Sequence, residues 1–147
     1  MPEVTARAER TIAAAPDEIW DALTDPEKLK TYFMGADFES DWKVGSPIRI
    51  KGEFKGKAYE DKGEIRSFEP KKRLAYSHFS PLSGDADRPE NYHLVTFELQ
   101  PDGEATRVTL TQANLMGGVK PSDEKMRGEY EKTWNTVLEG LARTVEH

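Results

Sequence analysis

Asp61, His78 and His93 are the side chains in this sequence whose types and placement could do chemistry. An imidazole titrates near neutral pH and serves as acid, base or ligand, and a carboxyl shielded from water can give or take a proton in enol-type reactions. Alternation along three extended runs sets where each points: His78 shares parity with Tyr76, His93 with Val95 and Phe97, and Asp61 with Tyr59 and Ile65. A hydrogen-bonded structural histidine is the commoner use of such a residue, and an Asp61 turned to water on a bulged strand would take no part. The three are weak candidates for catalysis, to be decided by whether one cavity brings them together.

Other chemistries lack their residues. The 147-residue chain has no cysteine, which removes thiol nucleophiles, thiolate metal sites and disulfides. No His-Glu-x-x-His pair or calcium loop occurs, and Asp85, Asp87 and Glu90 sit with Arg88 in a polar stretch that reads as solvated charge. There is no Gly-x-Ser-x-Gly elbow and no glycine-rich phosphate loop before a helix. Neither a metal nor a cofactor is expected.

The elements that must position these side chains follow from periodicity. Val4 to Ile12 alternates as a strand, with Val4, Ala6, Ala8 and Ile12 on one face and Thr5, Arg7, Glu9 and Thr11 toward water. Ala15-Pro16-Asp17-Glu18 opens a short helix that turns Ile19 and Leu23 inward, and Thr24-Asp25-Pro26-Glu27 opens a second that carries Leu29, Tyr32 and Phe33. The next eighty or so residues, about half the chain, keep a period close to two. Inner positions are Ile48, Ile50 and Phe54, then Tyr59 to Ile65, Leu74 to His78, Val95 to Leu99, and Val108, Leu110 and Gln112. Gly52 predicts a bulge or sharp bend. The turns between these runs are short, which predicts antiparallel pairing, and only Ser80 to Asn91 is long.

From Pro121 a helix of about 24 residues, roughly 36 Å long, carries Met126, Tyr130, Trp134, Val137, Leu138, Leu141 and Val145 at spacings of three and four. Gly128 and Gly140 inside it predict close backbone approach or a slight bend. A curved antiparallel sheet of six or seven strands can wrap such a helix and enclose a hollow. The expected class is α+β, one domain over residues 1–147.

Composition sets limits on partners. A net charge of −6 and a pI near 5.2 oppose a phosphate-binding footprint, so no nucleic acid is expected. The basic runs Lys55-Gly56-Lys57 and Lys71-Lys72-Arg73 fall where turns belong. Hydrophobic residues make up 36% and aromatic residues 10%, enough for a folded core. No signal-peptide pattern opens the chain and no apolar run approaches the ~20 residues that span a bilayer, so a cytoplasmic protein without stable membrane insertion is expected.

The run from Arg10 to Glu27, the pair Val95-Thr96-Phe97-Glu98-Leu99 and Thr106-Arg107-Val108-Thr109-Leu110-Thr111, and the Trp134 to Leu141 helix together resemble a known family. It comprises the bacterial proteins related to the activator of the heat shock protein 90 ATPase, within the START and birch-pollen-allergen (SRPBCC) superfamily. The resemblance implies a helix-grip fold with an apolar cavity between sheet and helix. Its members include ligand carriers, cyclases and co-chaperone domains, the last implying a stress-response setting.

Parity and helix face assign the cavity walls: Phe33, Phe38 and Phe54 from the first half, Tyr59, Tyr76 and Phe97 from the later strands, and Met126, Tyr130 and Trp134 from the long helix. Asp61, His78 and Gln112 supply polar points. Aromatic walls with few polar groups suit a small molecule, because desolvation supplies affinity and the polar groups orient it. The favoured role is binding of a small hydrophobic or amphipathic molecule, not catalysis. The alternatives are a protein-interaction domain of co-chaperone type and a cyclase, dehydratase or hydrolase using His78, His93 or Asp61 with a tyrosine.

Overall fold

The computed structural model describes residues 4–33, 35–81 and 84–146, and of Phe54 its backbone alone. The chain runs β1 (Val4–Ile12), α1 (Pro16–Thr24), α2 (Pro26–Tyr32), β2 (Asp37–Ser40), β3 (Pro47–Phe54), β4 (Lys57–Glu69), β5 (Arg73–His78), β6 (His93–Asp102), β7 (Ala105–Asn114) and α3 (Pro121–Val145). The seven strands form one antiparallel sheet in the order β1-β7-β6-β5-β4-β3-β2, curved around α3. This is the α+β helix-grip arrangement that the sequence predicts.

The helices start where chain chemistry allows. Proline opens α1, α2 and α3 at a position that has no backbone bond to lose, and the Asp25 carboxylate accepts from the Glu27 N–H at the start of α2. At α3 the Asp123 carboxylate accepts from Lys120 N at 2.8 Å. The apolar stripe of α3 meets the sheet only in its C-terminal half, where Val137, Leu138, Leu141, Ala142 and Val145 are buried. Nearer its start Met126 is exposed and Tyr130 half-buried. That half of the helix spans a hollow.

Two glycines permit close approach. A Cβ on Gly140 would stand 2.6 Å from Tyr32 Cβ, so its absence lets α3 touch α2. A Cβ on Gly63 would overlap the Ser77 carbonyl, where β4 and β5 cross tightly and the Ser77 hydroxyl accepts from the Glu64 N–H in place of a ladder carbonyl. Gly128, by contrast, has open space around it and makes no such contact.

Two local expectations are corrected. Thr5 is fully buried, because the β1–β7 register shifts between Val4 and Ala6 and rotates it inward, where its hydroxyl donates to the Gln112 carbonyl. Gly52 is not at a bulge: β3 and β4 keep one register from Pro47 to Phe54, and the bare glycine lies under the Tyr59 ring opposite it. The β4 bulge lies instead between Ile65 and Ser67. It flips parity so that Phe68 joins the core edge-on to Trp20 at 5.2 Å between ring centres.

Candidate functional site

Between the sheet and the N-terminal half of α3 lies a cavity of about 600 Å³. Its walls are built by strand register. His78 on β5 is directly opposite His93 on β6, and His93 is directly opposite Asn114 on β7. Directly paired residues share a face, so these three side chains form a polar row across the sheet. The bridge from Lys62 to Phe79 continues the register of the Ile65–Tyr76 pair, which sets Gly63 opposite His78. With no side chain there, the imidazole leans past it to Asp61, and His78 Nε2 lies 2.8 Å from Asp61 Oδ2. A carboxylate only accepts, so Nε2 carries the proton.

At the other end of the row Asn114 Nδ2 donates to Asp123 Oδ2 at 2.8 Å, tying the strand to the start of α3. One layer deeper, Tyr76 faces Val95 and Val95 faces Gln112. Gln112 is held from both sides: Trp134 Nε1 donates to its Oε1 at 2.9 Å, and its Nε2 donates to Thr5 Oγ1. Phe33 closes the floor with its ring centre 6.0 Å from that of Trp134.

Burial sets the protonation states. The Tyr76 phenol is pushed well above its ordinary range by burial and, second, by the nearby Asp61 carboxylate; Tyr59 rises for the same two reasons. Burial also raises Tyr130, with Asp123 and Asp85 adding to it. His93 is lowered, chiefly by burial and then by His78, and its ring meets Tyr130 edge-on at 5.9 Å. The wall at neutral pH thus presents neutral phenols and a neutral His93. Asp61 is 8% exposed, yet its Oδ1 has no hydrogen-bond partner, the one such buried side-chain atom among the described residues.

The cavity brings together Asp61, His78 and His93, and around them Phe33, Tyr59, Tyr76, Gln112, Met126, Tyr130 and Trp134. Phe38 and Phe97 are corrections to the expected lining. Both are packed in the core, Phe38 edge-on to Phe33 at 5.0 Å, because parity fixes which face a side chain takes and not how far along that face the hollow extends. The Phe54 side chain lies outside the described residues.

Sequence reasoning missed Ile50, Asn114, Asp123 and Thr133, and the mouth residues Ser80, Asp85, Glu90 and Asn91. Asn114 has the parity of Gln112, and Asp123 lies on the Met126–Tyr130–Trp134 face of α3, so both had a readable signal. The mouth residues did not. The loop that carries them is held by two contacts remote in sequence, Asp87 pairing with Lys62 and Lys120 Nζ donating to the Glu90 carbonyl at 2.9 Å, and by two at its own ends, the Tyr92 hydroxyl donating to Asp87 at 2.6 Å and Tyr92 stacking on Phe79. Asp87 is therefore more than solvated charge, and Lys62 holds its carboxyl below the usual range.

A family model described as activator of Hsp90 ATPase homolog 1-like protein matches residues 13–146. The chain belongs to this family. Among solved structures it is similar to ChR145 from Cytophaga hutchinsonii, with 45% identity, coverage of 96% of this chain and 94% of that one, and a TM-score of 0.77. Protein MLL2253 from Mesorhizobium loti shares 26% identity over 94% and 93% of the two chains, with a TM-score of 0.72. The Aha1 dimer from Colwellia psychrerythraea has the same fold at 23% identity, with 96% and 95% coverage and a TM-score of 0.72. No curated protein matches the chain. Among the described residues of this family member, no helix is long and apolar enough to cross a membrane, and no group of three or more acidic or histidine side chains could hold a metal ion.

Proposed function

We propose that the chain binds a small amphipathic molecule in the cavity between its sheet and α3. The observation that carries this is the cavity itself, about 600 Å³ with aromatic walls and one polar row, within the range of small-molecule sites. A ligand lying along Phe33, Tyr76 and Trp134 would remove apolar surface from water, and the polar row would orient its head.

Nile red, a neutral dye whose emission rises in apolar surroundings, tests the reading. The expected result is saturable enhancement by the wild type and its loss in Thr133→Trp, a variant that places a large ring in the cavity from a wall position outside the core. Enhancement that is absent, or identical in the two proteins, would remove the proposal. Protein interaction is the other role carried by the family's description, and it predicts no dependence on Thr133.

A further inference from the structure

Resting on that reading of the cavity, we propose that its ligand is a neutral carbonyl compound, a ketone or ester on an apolar body, that enters carbonyl end first and accepts a hydrogen bond from the Tyr76 hydroxyl. Three observations converge on this chemistry. The first is the hydroxyl itself. Tyr76 is 2% exposed, and no described residue gives or takes a hydrogen bond at its oxygen. It differs in this from Asp61 Oδ1, the one unpartnered side-chain atom among the described residues that its neighbours seal off. The Tyr76 oxygen is not sealed, and what Tyr76 borders is the cavity. Burial, with the Asp61 charge behind it, keeps the phenol protonated throughout the neutral range, so the wall presents an O–H at this point. A guest that displaces water from a donor and leaves it without an acceptor loses affinity, so the molecule that fills this space brings an acceptor.

The second is what stands beside it. Gln112, in the same layer, takes the Trp134 indole N–H on Oε1 and gives its amide to the Thr5 hydroxyl. Tyr32 of α2 is near enough to Tyr76 for the charge of one phenol to raise the other, and its hydroxyl donates to the Ala22 carbonyl. Asp61 has one oxygen sealed and the other on His78. The strand neighbours of Tyr76 are Ile65 on one side and Val95 on the other. Among the described residues of this layer, the polar group left open to a guest is a single donor.

The third is the sign of charge. The Asp61 carboxylate acts on the Tyr76 phenol, and the same field opposes a carboxylate or phenolate brought up to that hydroxyl. A protonated amine has no lone pair with which to take the O–H. An alcohol has one, but it adds a second O–H where the phenol oxygen is the open acceptor, so one of the two hydrogens goes without a partner. A neutral carbonyl takes the bond and leaves nothing unpaired. Phe33 and the Trp134 ring, which Gln112 holds in one orientation, give the apolar body its faces.

The experiment compares 2-acetylnaphthalene, 1-(2-naphthyl)ethanol and 2-naphthoate, one ring system carrying a ketone, an alcohol and an acid, by calorimetry on the full chain. The ketone should bind about fivefold tighter than the alcohol, the step expected for one net neutral hydrogen bond, and the acid more weakly than either. Tyr76→Phe keeps the ring and removes only the oxygen. In that variant the ketone should lose its lead, while the thermal transition of the free protein stays where it was or rises. A lowered transition would show that the hydroxyl is bonded within the protein, and would overturn the proposal. An alcohol or acid that ties or leads in the wild type would overturn the carbonyl assignment and leave the cavity reading standing. A lead that survives in Tyr76→Phe would overturn Tyr76 as its seat. Binding of Nile red but of none of the three naphthalenes would overturn the carbonyl assignment alone, and failure of all four would overturn the cavity reading with it.

Discussion

Trp134 on α3 donates its indole N–H to the Gln112 side chain on β7 at 2.9 Å, inside the protein, and the same Gln112 amide donates to the buried Thr5 hydroxyl on β1. One side chain thereby joins helix, inner strand and edge strand in the wall of the cavity. Gln112→Met keeps the length and removes both bonds, leaving the indole N–H without its acceptor. The expected loss is about 2–3 kcal/mol, read as a lower urea midpoint at an unchanged slope.

Gly63 sets the geometry of the Asp61–His78 pair. A methyl there would overlap the Ser77 carbonyl, and the backbone of the neighbouring strand has no flexible end to move aside. Gly63→Ala should cost at least about 2 kcal/mol by chemical denaturation, in line with overpacking of a tight contact.

The pH dependence of stability follows from His93. Its folded-state value lies below the ordinary 6.5, so as pH falls through 6.5 the unfolded chain takes up a proton that the folded chain does not. Stability is therefore present above that pH and falls as the medium becomes acid, until the folded-state value is passed. Besides burial, His78 and Lys120 depress His93, while Asp123 and Asp85 oppose them. Denaturation midpoints measured from about pH 7.5 to about 5.5 should decline less in His93→Gln than in the wild type. Equal declines would mean that His93 stays solvated.

The architecture was legible because period and turn spacing repeat over many residues: a sheet of six or seven strands and a helix from Pro121 need no detail to be recognised, while the four-residue β2 is too short to show a period of its own. The site was legible in part. Parity placed Asp61, His78, His93 and Gln112 on inner faces, yet nothing local shows that Asp61 and His78 touch. That contact depends on the β4–β5 register and on the bulge between Ile65 and Ser67, neither of which has a distinct sequence mark. Thr5 failed for the same reason at the β1 bulge. Phe38 and Phe97 failed because alternation carries no information on depth, and in this fold the hollow ends where α3 begins to pack. The cavity mouth was not legible, since its loop is positioned by Lys62 and Lys120 from two distant parts of the chain as well as by Tyr92 at its own end.

The two glycines inside α3 should answer the same substitution with opposite signs. Alanine is favoured over glycine in a helix interior by about 1 kcal/mol, chiefly by restricting the unfolded chain. Gly128 is exposed with nothing near its missing Cβ, so Gly128→Ala should collect most of that gain and raise the melting temperature. Gly140 is buried, and the added methyl would stand 2.6 Å from Tyr32 Cβ and 3.3 Å from the Tyr32 carbonyl oxygen. Tyr32 cannot step back freely, because its hydroxyl donates to the Ala22 carbonyl at 2.8 Å and locks α2 to α1. Moving α3 away instead would lift Leu138 and Leu141 from the sheet, where both are fully buried. Overpacking of about 1–3 kcal/mol then outweighs the helical gain, and Gly140→Ala should lower the melting temperature. A stabilised Gly140→Ala would show that α2 shifts to accommodate it, and would remove the tight α2–α3 contact as a reason for glycine at this position.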